Sequence, residues 1–120
     1  MTFTIDGRLP GMNEYTASQR GNRYGGASMK RDSQKAVEAY IRRSKEKPVH
    51  CPVRIIYTFY EPDRRRDLDN ISGFAHKVIQ DALVACGIIP GDGWKYIAGY
   101  TDVFRVDKNR PRIEVEVVEQ

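Results

Sequence analysis

The stretch Pro52–Tyr60, Pro-Val-Arg-Ile-Ile-Tyr-Thr-Phe-Tyr, is dense in β-branched and aromatic residues, side chains that fit a pleated, largely buried surface. It reads as a central strand, and a central strand obliges the chain to build a sheet around it and cover that sheet with helices. Thr2–Asp6 alternates as a short first strand ending at Gly7. Met29–Lys47, with Ser28 as cap and Pro48 as stop, reads as a helix with a narrow apolar stripe at Ala36, Val37, Ala39, Tyr40 and Ile41. A second helix, capped by Asp69 or Asn70 and stopped by Gly87, carries Ile71, Ala75, Val78 and Ala82 at spacings of 4, 3 and 4. Tyr96–Asp107 and Arg112–Glu119 read as strands about the turn Lys108–Pro111, and the pair is expected to form an antiparallel hairpin. The order β-α-β-α-β-β predicts the α+β class, with one small mixed sheet and two helices on one face. At 120 residues, one domain over 1–120 is expected.

Between Gly7 and Ala27 stand five glycines and one proline, with Asn13, Arg20, Asn22 and Arg23 among them. So long and glycine-rich a segment is expected to be an irregular binding loop. Trp94 and Tyr96 are expected to pack in or near the sheet, and His76 to be a surface histidine. Cys51 and Cys86 are far apart, each in an apolar segment, which predicts reduced, buried thiols and no zinc framework. No apolar run approaches the roughly 20 residues of a membrane span, and the N-terminus carries no secretory pattern, so a cytoplasmic protein is expected.

Charge is unevenly spread. Residues 1–66 hold 14 Lys/Arg against 7 Asp/Glu, and residues 67–120 hold 6 against 9. Arg20, Arg23, Lys30, Arg31 and the run Arg64-Arg65-Arg66 make the first part suited to a phosphate backbone, since each neutralised phosphate releases counterions.

The most informative stretch is Arg64-Arg-Arg-Asp-Leu-Asp-Asn70. Asp67 and Asp69 lie two apart after a strand, so in extended backbone both carboxylates face one side. Such a pair suits a hard divalent cation, which wants oxygen ligands and supplies the missing counter-charge. The bland reading is a helix cap in a salt-bridged loop. Asn70, Lys77 and Asp81, at spacings of 7 and 4, line one helix stripe, and Lys77 offers a point charge for a phosphate. Asp92, in Pro90-Gly-Asp-Gly93, can bring a third carboxylate. There is no paired-histidine, nucleophile-elbow or P-loop pattern.

Taken together, Pro62-Asp-Arg-Arg-Arg-Asp-Leu-Asp-Asn70, Lys77, Asp81-Ala-Leu83, Gly87 and Asp92 resemble the RusA-type endodeoxyribonucleases that resolve Holliday junctions. The resemblance covers nearly the whole chain, with its specific core in residues 62–92. It implies Asp67, Asp69, Asp92 and Lys77 as the catalytic set, the three aspartates holding Mg²⁺ with Mn²⁺ as a substitute. Asn70 and Asp81 would support them, and Arg64, Arg65, Arg66, Arg20, Arg23, Lys30 and Arg31 would contact DNA. It further implies an α+β homodimer that nicks four-way DNA in paired symmetric fashion, without an organic cofactor or a membrane, often in a phage or prophage setting. Two other readings stay open on residues alone: a non-catalytic basic nucleic-acid-binding module, and a general metal-dependent nuclease on branched or flap DNA.

Overall fold

The computed structural model describes residues 1–21 and 23–120, with the backbone alone at Arg23. The elements run β1 (Thr2–Asp6), α1 (Met12–Gly21), α2 (Arg23–Arg43), β2 (Val53–Glu61), α3 (Leu68–Ala85), β3 (Ile97–Val106) and β4 (Arg112–Glu119). The class is α+β, as expected. The four strands form one mixed sheet in the order β1-β4-β2-β3, antiparallel except for the β2–β3 pair.

The strand at 53–61 is interior, and its alternation is complete. Val53, Ile55, Tyr57 and Phe59 are buried under the helices, while Arg54, Ile56, Thr58 and Tyr60 sit half-exposed on the open face. Because β2 and β3 run parallel, the chain must cross back over the sheet between them, and α3 is that crossover. Its buried Ile71, Phe74, Ala75, Val78, Ile79, Ala82 and Leu83 form the middle of the core. The expected 71/75/78/82 stripe is part of this face. With α2 supplying Val37 and Ile41, α2 and α3 cover the sheet and α1 lies across the two of them.

Three sequence expectations are corrected. The expected β3–β4 hairpin does not form: β4 inserts between β1 and β2, leaving β3 at the edge. Burial explains the choice. β4 buries Ile113, Val115 and Val117, whereas no residue of β3 is fully buried, so the more apolar strand takes the interior place. Among the described residues there are three helices rather than two, because the glycine-rich segment is helical over most of its length. Gly26 lies where any Cβ would collide with the Gln19 side chain of α1; the glycine that weakens the helix locally permits the close α1–α2 crossing. Finally, α2 stops before Pro48. Lys45 adopts a left-handed φ of 56° just past its end, the usual way a helix is closed.

Candidate active site

At the C-terminal end of β2 the chain passes through a charged loop into α3. Asp67 is the N-cap, in extended conformation, and its side chain makes no capping hydrogen bond. Asp69, in the first turn, accepts a hydrogen bond from the Asn70 backbone N–H at 2.9 Å. Both carboxylates are exposed and both sit at the positive end of the α3 dipole, which favours negative charge there. Beside Asp67 opens a cleft of about 550 Å³ lined by Arg64, Arg66, Leu68, Ile71, Phe104 and Val106, among others.

The three arginines of the loop differ sharply. Arg66 grips buried Glu61 with two hydrogen bonds, at 3.0 and 2.9 Å, and also donates to the Leu9 carbonyl. Arg8 adds a further bond to Glu61 at 3.2 Å. Arg66 is therefore a tie between the loop and the N-terminal segment, not a free phosphate ligand. Arg65 is exposed and 3.4 Å from Asp63, and Arg64 is exposed on the cleft.

Asn70 has a structural task. Its Oδ1 accepts the Asn13 backbone N–H at 2.8 Å, satisfying a donor that the first turn of α1 leaves open. Asp81 forms a 2.7 Å ion pair with Lys30, which also donates to Gln34. The pair clips α3 to α2, so it answers the Lys30 charge within the fold and leaves Lys77 outside the bridge. Lys77 is exposed, two turns and about 12 Å beyond Asp69 along the helix. Arg20 is exposed near the end of α1, and Arg31 is exposed, 4.0 Å from Asp32. The Arg23 side chain lies outside the described residues.

Asp92 sits at the opposite end of α3, in a cleft with Gln34, Asp81, Val84 and Ala85. Asp81 alone is fourteen residues, about 20 Å of helix, from Asp67. Three carboxylates do not meet within one chain, and among the described residues no three His, Cys, Asp or Glu gather in metal-binding fashion. The Asp67/Asp69 pair by itself matches what Mg²⁺ takes from a protein, one or two carboxylates with waters and a substrate phosphate completing the shell.

Pairing separates these aspartates from the rest. Of the nine aspartates, Asp6, Asp32, Asp63, Asp81, Asp102 and Asp107 each lie within 4.0 Å of an arginine, lysine or histidine. The other three are Asp67, Asp69 and Asp92, which have no ionic partner among the described residues.

The sequence missed two features. His76, expected at the surface, is mostly buried, with Nε2 2.7 Å from Asp102 Oδ1 and its ring 4.7 and 4.4 Å from those of Tyr57 and Tyr100. Burial pushes the neighbouring Tyr57 hydroxyl far above its ordinary range, and Gln80 donates to it at 3.1 Å. Asp102 is 26 residues from His76, so only the β3 register reveals the pair. Trp94, expected to pack in or near the sheet, is instead fully exposed. Cys51 and Cys86 are free but only half-buried. No helix among the described residues is long and apolar enough to cross a membrane. Compared with known proteins, the chain matches no family model and no curated protein.

Proposed function

We propose that the protein is a divalent-cation-dependent endodeoxyribonuclease of the RusA kind, acting as a homodimer on four-way DNA junctions. One observation carries the reading: the aspartates left without an ionic partner among the described residues are Asp67, Asp69 and Asp92. A fold that pairs its other aspartates and leaves three exposed aspartates without an ionic partner among the described residues holds charge ready for a cation. Asp67 and Asp69 hold Mg²⁺, which supplies Lewis-acid polarisation of a phosphate and an acidified water. Lys77, exposed on the same helix, answers charge building on the phosphate or orients the strand. Arg64 and Arg65 position the flanking backbone without reading its sequence. Asp92 is too far to join Asp67 and Asp69 of its own chain, so in this reading it completes the site of a second copy. Two such sites related by a two-fold axis suit a substrate with that symmetry.

Purified protein incubated with a labelled four-way junction tests this. Paired nicks are expected with Mg²⁺ and none without it. Asp69→Asn and Asp92→Asn are each expected to bind the junction and fail to cut. Mixed and exchanged, they are expected to regain single nicks, because the hybrid dimer holds one intact site. Binding with no cation-dependent product overturns the nuclease reading in favour of a binding module. Equal cutting of flaps and linear DNA overturns the junction assignment, and an inactive mixture overturns the shared site.

A further inference from the structure

Among the described residues the most exposed large apolar side chain is the single tryptophan, Trp94, which is 100% exposed. It does not stand alone. It borders a shallow groove of about 250 Å³ between α3 and the start of β3, shared with Gln80, Asp92, Ala98, Gly99 and Tyr100 among others. Sites that enclose a whole small molecule run to roughly 300–1,000 Å³, so this groove suits one flat group held on an open side. Ala98 and Gly99 keep side chains out of its way.

Tyr100, 51% exposed, is fixed from behind. Its ring lies 4.4 Å from that of His76 and 6.2 Å, edge-on, from that of Tyr57. His76 is held in turn by Asp102 at 2.7 Å. A ring oriented by buried neighbours, with its outer part in water, loses little further freedom when a second ring stacks on it.

Charge selects what that second ring belongs to. Lys77, one turn before Gln80 on α3, Lys95, beside Trp94, and Arg54 of β2 have no ionic partner among the described residues. Arg54 reaches over β3 because residue 99 is glycine: a Cβ there would lie 3.1 Å from the guanidinium. It donates to Thr101 Oγ1 at 3.4 Å. Against these three cations the groove sets one carboxylate, Asp92. Aromatic planes beside uncommitted cations suit a strand whose bases stack and whose phosphates are neutralised. A proline-rich peptide also docks on aromatic grooves, but it has no use for the cations.

We propose that the groove is a stacking site for an unpaired DNA base, which lies on Trp94 and Tyr100 while the adjoining phosphates meet Arg54 and Lys95. Bases inside a duplex are stacked on one another, so only an open strand or a branch point offers one. The site goes beyond the nuclease reading and does not rest on it, since a binding module would use it equally.

Trp94 reports its own occupancy. An oligothymidylate of about 16 nucleotides is titrated into the unmodified protein at about 50 mM salt, with EDTA present so that nothing is cut. Indole emission and acrylamide quenching are followed. The free protein is expected to show an accessible indole, and the strand to quench it and shield it from acrylamide. An abasic deoxyribose-phosphate polymer of the same length is expected to bind without quenching. Trp94→Ala, at a side chain wholly in solvent, is expected to raise the dissociation constant for a labelled strand at least about fivefold, the lower end of what one base–aromatic stack is worth. It should leave the slope of log K against log salt unchanged, and Trp94→Phe should keep most of the affinity. Arg54→Ala should reduce that slope by about 0.7, one phosphate contact on a single strand. An indole untouched by the strand, an unmoved dissociation constant in Trp94→Ala, an unmoved slope in Arg54→Ala, or equal quenching by the abasic polymer overturns the proposal. So does an indole shielded before DNA is added, because a second copy then already covers the groove. A stacked Trp94 in a protein that cuts no junction sinks the nuclease reading alone. Cutting with Trp94 untouched sinks this site alone.

Discussion

Arg64, Arg65 and Arg66 are indistinguishable as letters, yet the fold spends them differently. Arg66 meets a buried carboxylate, Glu61, and a carbonyl, while Arg64 meets solvent. Removing one member of a buried pair leaves its partner's charge uncompensated. Arg66→Ala is therefore expected to cost about 3 kcal/mol in urea denaturation, the residual pairing with Arg8 limiting the loss. Arg64→Ala should stay within about 0.5 kcal/mol of the parent, like other surface changes. Such a division is illegible in sequence, because Glu61 and Leu9 join Arg66 only after β2 and the N-terminal segment are placed. The closeness of Asp67 and Asp69 in sequence was legible, but the extended backbone expected to turn both carboxylates to one side was not, because α3 begins at Leu68 and puts Asp69 in its first turn. Asp92 was legible as a turn aspartate but not in position, which depends on the length of α3 and the start of β3.

At the scale of elements, α3 was readable from its period alone, and its stop at Gly87 follows from that glycine's φ of 74°. The α1–α2 pair was not. The local penalty of glycine is visible in a sequence, whereas its gain, the tight crossing at Gly26, exists only once α1 is beside α2. The β3–β4 hairpin failed similarly: two strands joined by a short turn are usually partners, but the burial demanded by β4 outweighed proximity. α1 depends on α3 through Asn70, whose amide oxygen closes an open backbone donor. Asn70→Ala is expected to cost about 1 kcal/mol, the usual worth of such a cap. Hydrogen exchange should localise the loss to the first turn of α1, with α3 unchanged; uniform loosening would contradict this role.

Across the molecule, positive charge is concentrated in the first 66 residues, but part of it is committed within the fold. Lys30 is tied to Asp81 and Arg66 to Glu61, so they are not available to a polyanion in the way Arg64 and Arg65 are. Replacing Arg64 and Arg65 together by alanine is expected to reduce the slope of log K against log salt for junction binding by about 1.8, near 0.9 per phosphate contact. Lys30→Ala should leave that slope where it was. Equal effects from the two substitutions would show that the internal ion pairs do not hold in the complex.

The position of β4 has a consequence for synthesis. β4 lies between β1 and β2, with Val115 opposite both Phe3 and Tyr57. A nascent chain still missing residues 112–119 has no bridge joining its first strand to the rest of the sheet. It presents a gap flanked by unsatisfied backbone, the kind of surface that chaperones bind and that seeds aggregation. Assembly of the sheet waits until residues 112–119 have left the ribosome, and a cleavage that removes them takes out its middle.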